Sequence, residues 1–126
     1  MPKNLPETPS APPTLAPYSA VAEAAGLVFL AGQVGIDPAS GERAPDEVAA
    51  QARQVMSNIG AILGDLGLSY QDIVKTTIFL ADIGDFAAVN DVYASYFEGE
   101  YPARTTVQAG ALPGGFLVEI EVVAAR

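Results

Sequence analysis

Histidine, cysteine and tryptophan are all missing from this chain of 126 residues, and basic residues are scarce: six Lys and Arg stand against fifteen Asp and Glu. Without histidine the chain lacks the side chain that most often serves as a general base near neutral pH and most often ligates a metal. Any catalysis must run on carboxylates, tyrosine, lysine, arginine, hydroxyls or backbone groups. Without cysteine there is no disulfide, no thiol nucleophile and no cysteine-held metal. The cations Lys3, Arg43, Arg53, Lys75, Arg104 and Arg126 are scattered singly, and the net charge is −9. Nucleic-acid binding rests on clustered Lys and Arg that neutralise phosphates. No nucleic-acid partner is therefore expected, and no anionic membrane surface. No apolar run approaches the length that spans a bilayer. The segment MPKNLPETPSAPP lacks the apolar core of a secretory signal, so the cytoplasm is the expected location.

A chain of this length reads as one domain, residues 1–126. It is long enough to bury roughly two-thirds of its unfolded surface. Six of its ten prolines fall in the first seventeen residues, and residues 1–13 read as an extended or flexible arm. LVFLAGQV at 27–34 is a strand apolar on both faces, which demands cover on both. DPASGE at 37–42 is turn chemistry. Asp46, after Pro45, opens a helix whose stripe is Val48, Ala52, Val55, Met56, Ile59, Ile62, Leu63 and Leu66. IVKTTIFL at 73–80 is β-branched and aromatic, hence a strand. A second helix is expected from about Asp85 to Phe97, with Phe86, Val89, Tyr93, Tyr96 and Phe97 on one face. Residues 103–109 and 116–124 supply the last two strands around an LPGG turn. The order β-β-α-β-α-β-β predicts an α+β layer with both helices on one side of a single sheet. The opposite sheet face is too apolar for open water, and self-association is the economical cover.

Five residues carry possible chemistry. Arg104, at the head of a strand, offers a planar fork that matches a carboxylate; the competing role is an ion pair with one of the many acidic residues. Glu119 lies between Val118 and Ile120 on the face assigned to self-association, where it would hold and activate a water. One interface ion pair and one solvated rim charge would equally account for Glu119 and Glu121, and spacing alone does not choose. Asn90, a polar amide on an apolar stripe, either ties down a neighbouring loop or contacts a ligand. Tyr18 caps a pocket or packs, and Gly32 permits close backbone approach. No dinucleotide fingerprint, P-loop, HExxH or nucleophile elbow is present.

Taken in order, these stretches resemble one family. APY at 16–18, LAGQVGIDPASGE at 30–42, QARQVMSNIGAIL at 51–63, DIVKTTIFLADIGDFAAVNDVY at 72–93, YPARTTV at 101–107, ALP at 111–113 and VEIEVVA at 118–124 resemble the RidA/YjgF family of reactive-intermediate imine deaminases. The resemblance spans about residues 10–126. It implies a chorismate-mutase-like fold assembled as a homotrimer with clefts between subunits. It also implies hydrolysis of 2-aminoacrylate and related enamine or imine acids to 2-keto acids and ammonia, without metal or cofactor. By the same resemblance Arg104 anchors the substrate carboxylate and Glu119 orients the water, while Tyr18, Gly32, Asn90 and Thr106 line or support the cleft. Many members have serine where this chain has Ala31, and some have cysteine at Thr106; both departures bear on substrate range. The alternatives are a non-catalytic 2-keto acid sensor or scaffold, and a deaminase of a larger unsaturated amino acid such as 2-aminomuconate.

Overall fold

The computed structural model describes residues 2–126. Five strands form one sheet: β1 (Val21–Ala24), β2 (Leu27–Gln33), β3 (Ile73–Leu80), β4 (Ala103–Gln108) and β5 (Val118–Ala125). Two helices, α1 (Val48–Asp65) and α2 (Phe86–Ala94), separate β2 from β3 and β3 from β4. The spatial order is β1-β2-β5-β3-β4. All pairs are antiparallel except β3 with β4. The α2 crossover dictates that exception, because a strand reached through a helix returns in the same direction. Among the described residues, no helix is long and apolar enough to cross a membrane.

The core lies between α1, α2 and one sheet face. Ala52, Val55, Met56, Ile59, Ile62 and Leu63 of α1 are buried, as the stripe requires. They pack with Val28, Leu30, Ile78, Leu80, Val118, Ile120 and Val122 from alternate strand positions. Helix α1 begins two residues after Asp46, because the Glu47 amide donates to the Pro45 carbonyl (2.7 Å) and the chain is still turning there. Helix α2 stops at Ala94, and a tighter turn carries Tyr96 and Phe97 onto the core. Phe86 remains 41% exposed. The proline-rich arm lies along the body. Asn4 bridges Glu23 of β1, and both the backbone amide and the hydroxyl of Ser10 donate to Asp65 (2.8 and 2.7 Å).

Tyr70 shows how closely α1 is packed. Its hydroxyl donates to the Met56 carbonyl (2.7 Å) and occupies the space where a Cβ on Gly60 would lie. Burial, with Tyr96 second, pushes the Tyr70 hydroxyl up to about 12. Gly60→Ala gains about 1 kcal/mol of helix propensity, but overpacking against the ring costs about 1–3 kcal/mol. The expected outcome is net destabilisation by urea denaturation at fixed protein concentration. It should shrink when Tyr70→Phe removes the intruding oxygen.

The other sheet face carries no helix. Leu27, Phe29 and Val107 there are 39%, 46% and 41% exposed. The apolar face expected from LVFLAG is thus bare within one chain.

Candidate functional site

Strand register decides where each candidate points. Arg104 pairs with Thr76 and Thr106 with Ile78 across β3 and β4. Thr76 and Ile78 are buried beneath the helices. Neighbours directly opposite share a face, so Arg104 and Thr106 sit on the helix side, at the β4 edge. Glu119 pairs with Phe79, between buried Val118 and Ile120. It lies on the bare face. The two principal candidates therefore occupy opposite sides of one sheet, and the structure forms two half-sites rather than one.

The first half-site centres on Arg104. Its Nη2 donates to Oδ1 of Asn90 at 2.6 Å, across from β4 to α2. Asn90 thus ties to the Arg104 guanidinium on β4 rather than to a neighbouring loop. The Arg104 Cζ lies 5.3 Å from the Phe86 ring centroid and 5.1 Å from that of Tyr93, within cation–π range. Tyr93 is fixed by a 2.8 Å hydrogen bond between its hydroxyl and that of Thr76. Burial pushes the Tyr93 hydroxyl up, with the Thr76 bond and the Arg104 charge opposing. Among the described residues the one ion pair is Arg126 with Glu23. Arg104 has no carboxylate partner, so the ion-pair role is not the one it plays within the chain. The guanidinium borders an open cavity of about 340 Å³ with Tyr101 and Pro102. Two residues along, the Thr106 hydroxyl is buried without a hydrogen-bond partner. An unmet buried hydroxyl costs about 1–3 kcal/mol.

The second half-site centres on Glu119. It shares a cavity of about 600 Å³ with Tyr18, Ala31, Gly32, Leu15, Val34 and Phe116, among others. A bulge shapes it: Leu30 pairs with Val122 but Gln33 with Ile120, so β2 carries one extra residue around Ala31 and Gly32. There the Glu119 side chain lies against Gly32. A Cβ on Gly32 would sit 2.5 Å from Oε2 and 2.9 Å from Cδ. Burial pushes the Glu119 carboxyl up, and the charge of Glu121 adds to it. The result is a half-buried carboxyl in an apolar surround, suited to exchanging a proton with a small reactant.

The sequence candidates therefore divide cleanly: Arg104, Asn90 and Thr106 on one side, Tyr18, Gly32 and Glu119 on the other. Three contributors were not marked in advance. Gln51 is a buried amide in α1 whose Oε1 accepts from the Leu117 amide at 2.8 Å, holding the loop before β5. Its signal was the same as that of Asn90, an amide beside an apolar stripe. Arg43 and Phe116 form a stacked pair at the rim of the Glu119 cavity, and no local pattern announces a contact across that much chain.

The family model described as Endoribonuclease L-PSP matches residues 8–126. A protein of Mus musculus named 2-iminobutanoate/2-iminopropanoate deaminase is 43% identical over 94% of this chain and 88% of its own length. The Bos taurus protein of the same name is 45% identical over 94% of this chain and 87% of its own. Among solved structures, the Rid-family protein YyfA of Yersinia pestis superposes with a TM-score of 0.94 at 44% identity, covering 99% of this chain and all of that one.

Proposed function

This chain belongs to the family described as Endoribonuclease L-PSP, the RidA/YjgF deaminases that its motifs resemble, and on that premise we propose that it hydrolyses 2-aminoacrylate and related enamine or imine acids to 2-keto acids and ammonia. It is an enzyme of the C–N hydrolase type. The observation that carries its chemistry is the Arg104 guanidinium, aimed by Asn90, flanked by two rings and unpaired with any carboxylate. Such a group is a ready receptor for one small carboxylate. The proton-exchanging group it needs, Glu119, is on the other sheet face.

A homotrimer unites the two. Arg104 of one protomer and Glu119 of a neighbour face the same cleft when the bare face of each chain is covered by the next. That contact joins unlike surfaces, so it must close as a ring or run on as a filament. Closure at three gives three equivalent clefts and buries Leu27, Phe29 and Val107. Light scattering should return the mass of three 13.0 kDa chains.

The reaction asks little of the protein. An iminium carbon is already electrophilic, so a placed water suffices. Arg104 holds the carboxylate. The Glu119 carboxylate takes a proton from the attacking water as its oxygen bonds to the imine carbon. It then returns that proton to the nitrogen. As the C–N bond breaks and the C=O forms, the carbinol hydroxyl gives its proton to the Glu119 carboxylate, and the departing ammonia takes that proton up as ammonium. A carboxyl pushed up by burial suits both halves of that exchange. Thr106 and Tyr18 complete the cleft walls, and the chain works in the cytoplasm on a small-molecule partner.

The test generates 2-aminoacrylate in situ with a serine dehydratase and traps it with semicarbazide. Added protein should lower semicarbazone formation. Unchanged trapping sinks the deaminase reading, and 2-keto acid binding without turnover would favour a sensor. The family's descriptive name points instead to RNA, but a net charge of −9 with scattered cations gives phosphates no basic surface.

A further inference from the structure

Outside the residues already given roles, the best-built polar contact is Arg43 with the Leu112–Phe116 loop. Arg43 sits on the short hairpin closed by its bridge to Ile36. Its Cζ lies 3.8 Å from the Phe116 ring centroid, and its Nη1 donates to the Gly114 carbonyl at 2.6 Å. The loop is shaped to accept both contacts. Gly114 has φ +75°, and a Cβ there would come within 2.8 Å of the Phe116 ring and 3.3 Å of the Arg43 Nη1. Phe116 is only 6% exposed, although Arg43 itself is exposed. The guanidinium therefore shields one side of the ring, while the ring also lines the Glu119 cavity. From inside, Gln51 holds the adjoining Leu117 amide. Gly114 and Gly115, both at positive φ, bring no side chain to that wall, so Arg43 supplies its outer contact.

Within one chain the cavity is wider and more apolar than a methyl group needs. Leu15, Ala31, Val34, Pro113 and Phe116 surround Glu119 with apolar surface in about 600 Å³. A substrate side chain lying there removes apolar area from water in proportion to its size.

We propose that Arg43 is a specificity-determining positioning residue: by stacking on Phe116 and bonding Gly114 it fixes the apolar wall of the Glu119 cavity, which selects 2-imino acids with large apolar side chains over 2-iminopropanoate. This rests on the deaminase reading above. The test compares two substrates made in situ by an amino-acid oxidase, from alanine and from leucine, on the full-length protein. Wild type should show the higher kcat/KM on the leucine-derived imine. Arg43→Ala should lower that value about tenfold through KM, since lost apolar contact is binding shared by ground and transition states. The alanine-derived value and both kcat values should stay within about twofold. Arg43→Lys should resemble Arg43→Ala, because an ammonium lacks the flat face and the fork. Phe116→Leu, which leaves Arg43 in place but trims the cavity wall itself, should raise KM more for the large substrate than for the small one. Equal losses on both substrates in these variants, or no loss on either, overturn the proposal while leaving the deaminase reading intact. A wild type that consumes neither imine overturns both.

Discussion

Arg104→Ala is expected to lower kcat/KM for imine hydrolysis by roughly tenfold to 150-fold while leaving the fold intact. A hydrogen bond to a charged group contributes about 1.5–3 kcal/mol, and each 1.4 kcal/mol is about tenfold in rate. The guanidinium is half-buried and makes one protein hydrogen bond, to Asn90. Its removal therefore leaves no buried charge unpaired, and thermal stability should move little. Arg104→Lys should recover only part of the loss, since a point charge does not reproduce the bidentate fork. An unchanged rate in Arg104→Ala would remove the anchor role.

The same variant tests the assembly. Co-expressing Arg104→Ala with Glu119→Gln in equal amounts places defects on two different surfaces. If each cleft takes Arg104 from one protomer and Glu119 from its neighbour, random mixing leaves about one cleft in four intact. Roughly a quarter of wild-type activity should return from two crippled chains. If one chain supplied both groups, no cleft would be whole and no activity would return. The first outcome is the expected one, because Arg104 shares its face with Thr76 and Glu119 shares its face with Phe79, which places the two on opposite sides of one chain's sheet.

Much of this was legible in the sequence, and the remainder has a physical reason for being hidden. Helix α1 could be read because period 3.6 repeats over five turns, and Ile73–Leu80 because β-branched residues cluster there. Arg104 and Glu119 stood out by chemistry, one a rare cation and the other a carboxylate between aliphatics. Their placement on opposite faces did not, because it depends on β4 lying parallel beside β3 while β5 inserts between β2 and β3. Alternation within a strand says which residues share a face, but only pairing across strands says which strands' faces agree. Asn90 and Gln51 gave the same local signal, an amide beside an apolar stripe. Their partners, Arg104 and Leu117, belong to distant strand ends. Arg43 gave no signal, since a stacked cation is a property of the folded rim alone.

Gly32→Ala is expected to disable the Glu119 half-site, proposed above to activate the water, with almost no cost to stability. The added methyl would fall 2.5 Å from Oε2 and 3.0 Å from Cγ of Glu119, distances that real contacts do not sustain. The obstructed atoms are the end of a flexible side chain, so Glu119 swings away and the backbone stays. Activity should fall by about a hundredfold, the low end of what a positioned acid–base group contributes, with kcat affected more than KM. Glu119→Gln should fall as far, and the double variant little further, since both remove one function. A Gly32→Ala protein with wild-type kcat would show that Glu119 does not act from this position. The pH profile adds an independent check. Burial raises the Glu119 pKa, and Glu121 raises it further. The carboxylate form is the one that accepts the water's proton, so activity should drop as pH falls through that raised value. Glu121→Gln removes the second cause, leaves the first, and should shift this acid limb to lower pH. A limb that stays in place in Glu121→Gln but disappears in Glu119→Gln would mean burial alone sets the value. A limb that survives Glu119→Gln unchanged would assign it to the substrate.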